Sequence, residues 1–206
     1  ICGEFIDGIL AAALRMGECN ACMHCIVAAP TAGACGVLPA VLLPYGRRYE
    51  LPDDTLIKAL YVASGFGAVI AQRASISGAE AGCQAEIGTA AAMAAAALVY
   101  LHGGSAVQMA NAAAMALKNM MGLVCDPVAG LVEVPCIKRN AAGAMNALCA
   151  AEMALAGIES HIPPDEVIDA MAAVGAALPS SLRETGMGGI AASPTAVKFR
   201  EEFFGQ

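Results

Sequence analysis

The chain has 206 residues with a formal charge of −7, and 58% of it is hydrophobic while only 4% is aromatic. With no basic cluster beyond Arg47-Arg48 and Lys138-Arg139, that balance argues against nucleic acid or an anionic membrane as a partner. A mean hydropathy of +0.64 raises the question of a membrane span, but the purest apolar run, 90–101, falls short of the roughly 20 residues a span needs, and 141–158 is interrupted by Asn146 and Glu152.

The apolar content is mostly alanine, the strongest helix former, with little β-branched alternation. The expected fold is therefore all-α: a single compact helical domain over 1–206, of about six to eight helices, with irregular cysteine-bearing loops. The first helix is expected over 4–16, where Phe5, Ile6, Ile9, Leu10, Ala13 and Leu14 share one stripe and Gly17 is placed as the cap. Residues 18–36 follow as an irregular, cysteine-rich stretch, and Pro39, Pro44 and Gly46 bound a short apolar segment. Pro52-Asp53-Asp54 starts a helix that runs to about residue 74, its acids at the positive end of the helix dipole. After a Ser/Gly break at 75–78, a long helix is predicted over 80–101 with Cys83 in its first turn, where free amides favour an anion. Gly103-Gly104 stop it, and Ser105 with Gln108 reads as a capping box for the next helix, which ends near Gly122. The segment DPVAGLVEVP, 126–135, reads as loop, and further helices are expected over 139–157, 164–178 and 194–204.

Nine cysteines do not spell a disulfide framework, because the number is odd, the chain is not small and no signal peptide precedes it; a cytoplasmic location is expected. The chain opens without an initiator Met, inside a helical pattern, and is expected to be a piece of a longer protein.

Three cysteines stand out by context: Cys83 in SISGAEAGCQAEIG, Cys125 in GLVCDPVAG and Cys136 in EVPCIKRN. Their spacing is unspecific, and a free cysteine is usually a small buried hydrophobe. Yet proline, glycine, an aspartate and two cations surround them, which suits thiolates that hold an inorganic centre. Four thiolates close a structural or electron-transfer site, whereas three on a [4Fe-4S] cluster leave one iron open as a Lewis acid.

Cys19, Cys22 and Cys25 begin like a bacterial ferredoxin run, but Ala29 stands where the fourth cysteine should precede Pro30; metal binding and free loop thiols both stay open for them. His24, His102 and His161 are candidate acid/base groups. His102 follows a helix end and His161 lies in a turn, which leaves His24, among the loop cysteines, as the one with a chemical neighbourhood. Lys58, Lys118, Lys138 and Lys198 sit in no glycine-rich phosphate-binding context, so no pyridoxal phosphate is expected. RETGMGGIA, 183–191, is either a surface loop or an amide-rich segment lying over a site.

IVAAPTAGACGVLPAVL, ASISGAEAGCQAEIGTAAAMAAAAL, GLVCDPVAGLVEVPCIKRNA and RETGMGGIA, in this order, closely resemble the α chain, or catalytic domain, of iron-sulfur-dependent L-serine dehydratases, over nearly the whole chain. The resemblance implies that Cys83, Cys125 and Cys136 hold a [4Fe-4S] cluster and that Cys19, Cys22 and Cys25 are not ligands. It also implies further α-chain sequence upstream and a β chain or domain, which would supply part of the active site including a histidine base. Single-chain members end in a cysteine able to occupy the open iron, whereas this chain ends KFREEFFGQ, so water or substrate is expected there.

The implied activity is a lyase of amino-acid degradation and gluconeogenesis that deaminates L-serine to pyruvate and ammonia. The groups expected to orient the substrate are Thr31, Gly33, Ala34, Ser75, Ser77 and Asn140, and no catalytic base is assigned within the chain. Two alternatives remain: a related elimination such as L-cysteine desulfidation, and a non-catalytic iron-sulfur scaffold built on Cys19, Cys22 and Cys25. The abundance of apolar surface makes an oligomer the expectation, and a cluster with an exposed iron is expected to be lost in aerobic preparation.

Overall fold

Alanine and glycine let helix axes approach closely, and the computed structural model, which describes residues 1–205, uses this throughout. A Cβ on Gly67 would lie 2.9 Å from Met93 Sδ, and one on Gly143 would lie 2.8 Å from Ile87 Cγ2. In chain order the helices are α1 (Gly3–Ala21), α2 (Val37–Arg48), α3 (Asp53–Arg73), the single-turn α4 (Gly78–Ala81), α5 (Thr89–Leu101), α6 (Ala106–Met120), α7 (Cys136–Leu155), α8 (Pro164–Ala177) and α9 (Pro194–Phe204). Among the described residues there is no strand, only an isolated bridge between Cys125 and Arg183. The fold is all-α, and the helices exceed the expected six to eight by the four-residue α4.

α5 has no polar face, and every residue from Thr89 to Val99 is buried. A helix that is apolar all round must be surrounded, and α2, α3, α6 and α7 pack on it. α1 lies across α2 and α7, and α8 covers α6 and α4. The buried apolar residues form one continuous cluster in which large side chains such as Ile9, Ile70, Leu117 and Met171 are fully enclosed, each contributing about 1.5–3 kcal/mol.

α3 and the run Gln84–Leu101 both have the length and hydropathy to cross a membrane, which corrects the reading that no such helix exists. Gln84–Leu101 is 83% buried as the core helix, and α3 turns Ala59, Ala63, Gly67 and Ile70 inward.

Four helix boundaries differ from expectation, the start of α7 at Cys136 rather than residue 139 being the first. α1 continues past Gly17, which is buried because a side chain there would press on Ile137 of α7, its Cβ 3.1 Å from that Cα. Pro39 and Pro44 do not bound a short segment: Pro39 sits in the first turn of α2, where its missing N–H is no loss, and Pro44 lies within the helix. The helix expected over 80–101 is broken. α4 ends at Ala81, Gly82 takes φ +78 and ψ 173, and Gln84–Gly88 forms a π-helical turn before α5 begins. The capping box of Ser105 and Gln108 is present on both sides, Ser105 Oγ accepting from Gln108 N at 3.2 Å and Gln108 Oε1 from Ser105 N at 2.9 Å.

Candidate functional site

The break at Gly82 aims Cys83 at its partners. A Cβ on Gly82 would lie 2.7 Å from Leu123 O, so only glycine lets the 122–125 segment come this close. Gln84, fully buried, then staples the two together: its backbone N–H donates to Leu123 O (2.9 Å), its Oε1 accepts from Gly122 N (2.8 Å), and its Nε2 donates to Met171 O of α8 (3.1 Å). Cys125 is fixed from the other side by RETGMGGIA, since Cys125 N donates to Leu182 O (2.9 Å) and Glu184 N to Cys125 O (2.7 Å). Cys136 opens α7 directly after Pro135.

All three sulfurs belong to buried residues, exposed by 1%, 2% and 7%, and none is in a disulfide. The Cys83 and Cys125 sulfurs lie within 4.8 Å of each other, and Cys136 is close enough to act on the Cys83 thiol. The S–H groups of Cys125 and Cys136, aided by Arg139, outweigh burial and draw Cys83 down to about 3. Donation to that thiolate, together with burial, pushes the Cys125 and Cys136 thiols up. Among the three sulfurs Cys83 is the one drawn toward the thiolate, with the Arg139 guanidinium beside it. A donor set of buried sulfurs with a guanidinium at hand fits a thiolate-ligated inorganic centre, whose positive charge would favour the thiolate forms.

Arg139 and Asp126 frame this group. Arg139 Nη1 donates to Val124 O (2.8 Å) and to Cys83 Sγ (3.5 Å), and Nη2 pairs with Asp126 Oδ1 at 2.8 Å. Burial works against the guanidinium's charge, but the Cys83 thiolate and Asp126 more than offset it and raise the Arg139 pKa. Asp126, 2% exposed, uses its second oxygen to accept from Ile190 N (2.8 Å), and a Cβ on Gly189 would collide with that carboxylate. RETGMGGIA therefore lies against Asp126, with Gly189 set by the close approach to that carboxylate and Gly188 by the approach to Ser181 O.

A fourth acid joins the thiols. Ligand atoms of Cys83, Glu86 and Cys125 all lie within 4.8 Å of one another. Burial first, and then the Cys83 thiolate, push the Glu86 carboxyl up to about 7, while Thr31 and the Gly78 amide act to lower it. Although the Thr31 hydroxyl is close enough to act on the carboxylate, its buried Oγ1 completes no hydrogen bond of good geometry.

The six residues expected to orient substrate separate into groups. Thr31 and Gly33 border Glu86, a Cβ on Gly33 lying 3.2 Å from Glu86 Oε2. Ala34 is fully buried, its amide donating to Thr31 O (3.3 Å). Asn140 is a clamp for that loop: its Nδ2 donates to Gly33 O (2.8 Å) and Cys136 O (2.9 Å), and its Oδ1 accepts from Gly36 N (2.9 Å), leaving no free donor. Ser75 Oγ donates to Glu80 and accepts from Ser77 N, so these two serines order the turn before α4. Cys19 is half-buried at the end of α1, Cys22 and Cys25 are exposed, and among the described residues they form no ligand group. His102 accepts or donates against Tyr45 Oη at 2.8 Å, at the contact of α5 with α2. An apolar cavity of about 300 Å³ beside the 126–135 loop, lined by Val128, Leu131, Val134, Ile190 and Phe199, offers few polar partners to an amino acid.

Sequence reasoning passed over Glu86, although its signal was present: it is the only charged side chain between Glu80 and Lys118. The Asp126–Arg139 pair was visible only as composition around the thiols.

The family model described as "Serine dehydratase alpha chain" matches residues 1–191. The chain is 54% identical to the probable L-serine dehydratase alpha chain of Bacillus subtilis, over 98% of this chain and 68% of that protein. It is 48% identical to the L-serine dehydratase alpha chain of Peptoniphilus asaccharolyticus, over 98% of this chain and 70% of the relative. It is 46% identical to the L-serine dehydratase TdcG of Escherichia coli, over 90% of this chain but only 41% of that longer protein.

Proposed function

The chain belongs to the serine dehydratase alpha-chain family, and from that premise we propose that it is the cluster-holding chain of a cytoplasmic lyase that deaminates L-serine to pyruvate and ammonia. The observation that supports the reading is that Cys83 and Cys125, from separate segments, meet with Glu86 so that their ligand atoms lie within 4.8 Å of one another, while the buried Cys136 opens α7 and acts on the Cys83 thiol. These three would hold a [4Fe-4S] cluster, which when bound supplies a Lewis-acidic iron that eases departure of the substrate hydroxyl. The residues of the chain do the rest. Arg139 offsets thiolate charge, and Asp126 and Ile190 keep its guanidinium in place. Asn140 holds the 31–36 loop against α7, and the Thr31 hydroxyl of that loop, which completes no hydrogen bond of its own, would receive the substrate carboxylate.

Elimination removes the α-proton and hydroxide of serine, and the resulting enamine tautomerises and hydrolyses in water without further help. The base would come from a β chain or domain, a partner that the alpha-chain naming of the relatives supports. Serine as the substrate is supported by the names of the relatives. The test is anaerobic purification followed by counts of iron and acid-labile sulfide, expected at about four of each per chain, and by pyruvate release from L-serine with the β chain present. An anaerobic preparation that binds no iron under reconstitution, or that releases sulfide from cysteine while leaving serine intact, defeats the reading.

A further inference from the structure

Glu86 stands beside the thiols and, among the described residues, pairs with no cation. Arg139, the cation of the site, is committed to Asp126, Val124 and Cys83. Space is kept open for the carboxylate: a Cβ on Gly33 would lie 3.2 Å from Glu86 Oε2, and one on Gly78 would lie 2.8 Å from the same oxygen and 3.1 Å from Cys125 Sγ. Gly78 lies against it, and the Thr31 hydroxyl, which completes no hydrogen bond, lies next to it. Glu86 is also the central residue of the π-helical turn Gln84–Gly88, a local widening of the helix that is often found at functional sites. The Cys83 thiolate and Glu184 add negative charge nearby. A half-buried carboxyl group beside the thiols, in space that two glycines leave open, is placed to take a cationic group of a ligand.

In serine the ammonium sits on the carbon between the carboxylate and the hydroxymethyl group, so a site that holds those two groups beside the thiols brings the ammonium into the same few ångströms. We propose that Glu86 receives the α-ammonium group of the amino-acid substrate and so makes this site select amino acids over the corresponding hydroxy acids. The inference rests on the lyase reading above.

The test compares the anaerobically prepared holoenzyme, with its β chain, as wild type and as Glu86→Gln. Two ligands of one skeleton are used: L-serine, and 3-hydroxypropanoate, which lacks only the ammonium. Binding is read from KM and inhibition constants and, where turnover is lost, by equilibrium dialysis; iron and sulfide are counted in both proteins. Expected in Glu86→Gln is a loss of serine binding of about 10- to 100-fold, with 3-hydroxypropanoate bound as in wild type and iron and sulfide unchanged. Retained preference for serine, parallel weakening of both ligands, or loss of iron, which would make Glu86 a metal ligand, each overturns the proposal. A wild type with full iron and sulfide that forms no pyruvate defeats the lyase reading, and this inference falls with it. A wild type that forms pyruvate beside an unaltered Glu86→Gln defeats the inference alone.

Discussion

Two polar side chains at the site, Asn140 and Glu86, have opposite fates. Asn140 is buried, makes three hydrogen bonds to backbone groups and is fully used in positioning, whereas Glu86 is half-buried and, among the described residues, paired with no cation, and its protonation should therefore register in stability. In the unfolded chain Glu86 titrates near the ordinary 4.5, but in the fold it is pushed up to about 7. Between those values the folded metal-free protein binds a proton that the unfolded chain does not, so stability falls as pH rises through that window and is level above it. Cys83 works the other way, because its lowered pKa adds stability as pH rises, and the wild-type curve alone conceals Glu86. Subtracting the curve of Glu86→Gln isolates it. From urea unfolding of the two metal-free proteins, the variant should gain on wild type by up to about 3 kcal/mol as pH climbs from about 4.5 to 7. A difference that stays level across this range would show that the carboxylate is not held in a charge-disfavouring site.

At the scale of elements, most helices were legible because their signals are local. The Ser105–Gln108 box, the Asp53-Asp54 start and Pro194 mark ends that the backbone obeys. The segment 78–88 was not legible, because a glycine inside an alanine-rich pattern is normally tolerated and a π-helical turn has no propensity of its own. What breaks the helix is tertiary: Leu123 O and Leu178 Cδ1 occupy the place a Cβ on Gly82 would take, at 2.7 and 2.8 Å. The φ of +78 with ψ of 173 also belongs to a region essentially reserved for glycine. Gly82→Ala should therefore cost about 3 kcal/mol or more, adding backbone strain to the clash, and be visible as a lowered denaturation midpoint. A cost below about 0.5 kcal/mol would mean that the break is set elsewhere, because glycine to alanine in an ordinary helix is stabilising. The same logic explains Gly17, whose apparent role as a cap was a packing role against Ile137.

For the whole molecule, the site depends on joining distant segments. Cys83 precedes α5, Cys125 and Cys136 follow α6, and α5 is the helix on which α2, α3, α6 and α7 all pack. The three cysteines could be singled out from their glycine- and proline-rich contexts. The partners that hold them, Gln84 to Leu123 and Asp126 to Arg139 and Ile190, are long-range pairings that no local pattern encodes. A centre bound at all three sulfurs would tie the front of α5, the 122–126 segment and the start of α7 together, and ligand bound only by the folded state raises stability by mass action. Single Cys→Ser changes at 83, 125 and 136 should therefore abolish iron retention and lower the thermal midpoint of the anaerobic protein toward that of its chelator-treated form. The same change at Cys19, Cys22 or Cys25, half-buried or exposed and apart from that group, should alter neither. Iron lost on changing Cys22, or kept on changing Cys125, would move the centre from the core-facing thiols to the loop after α1.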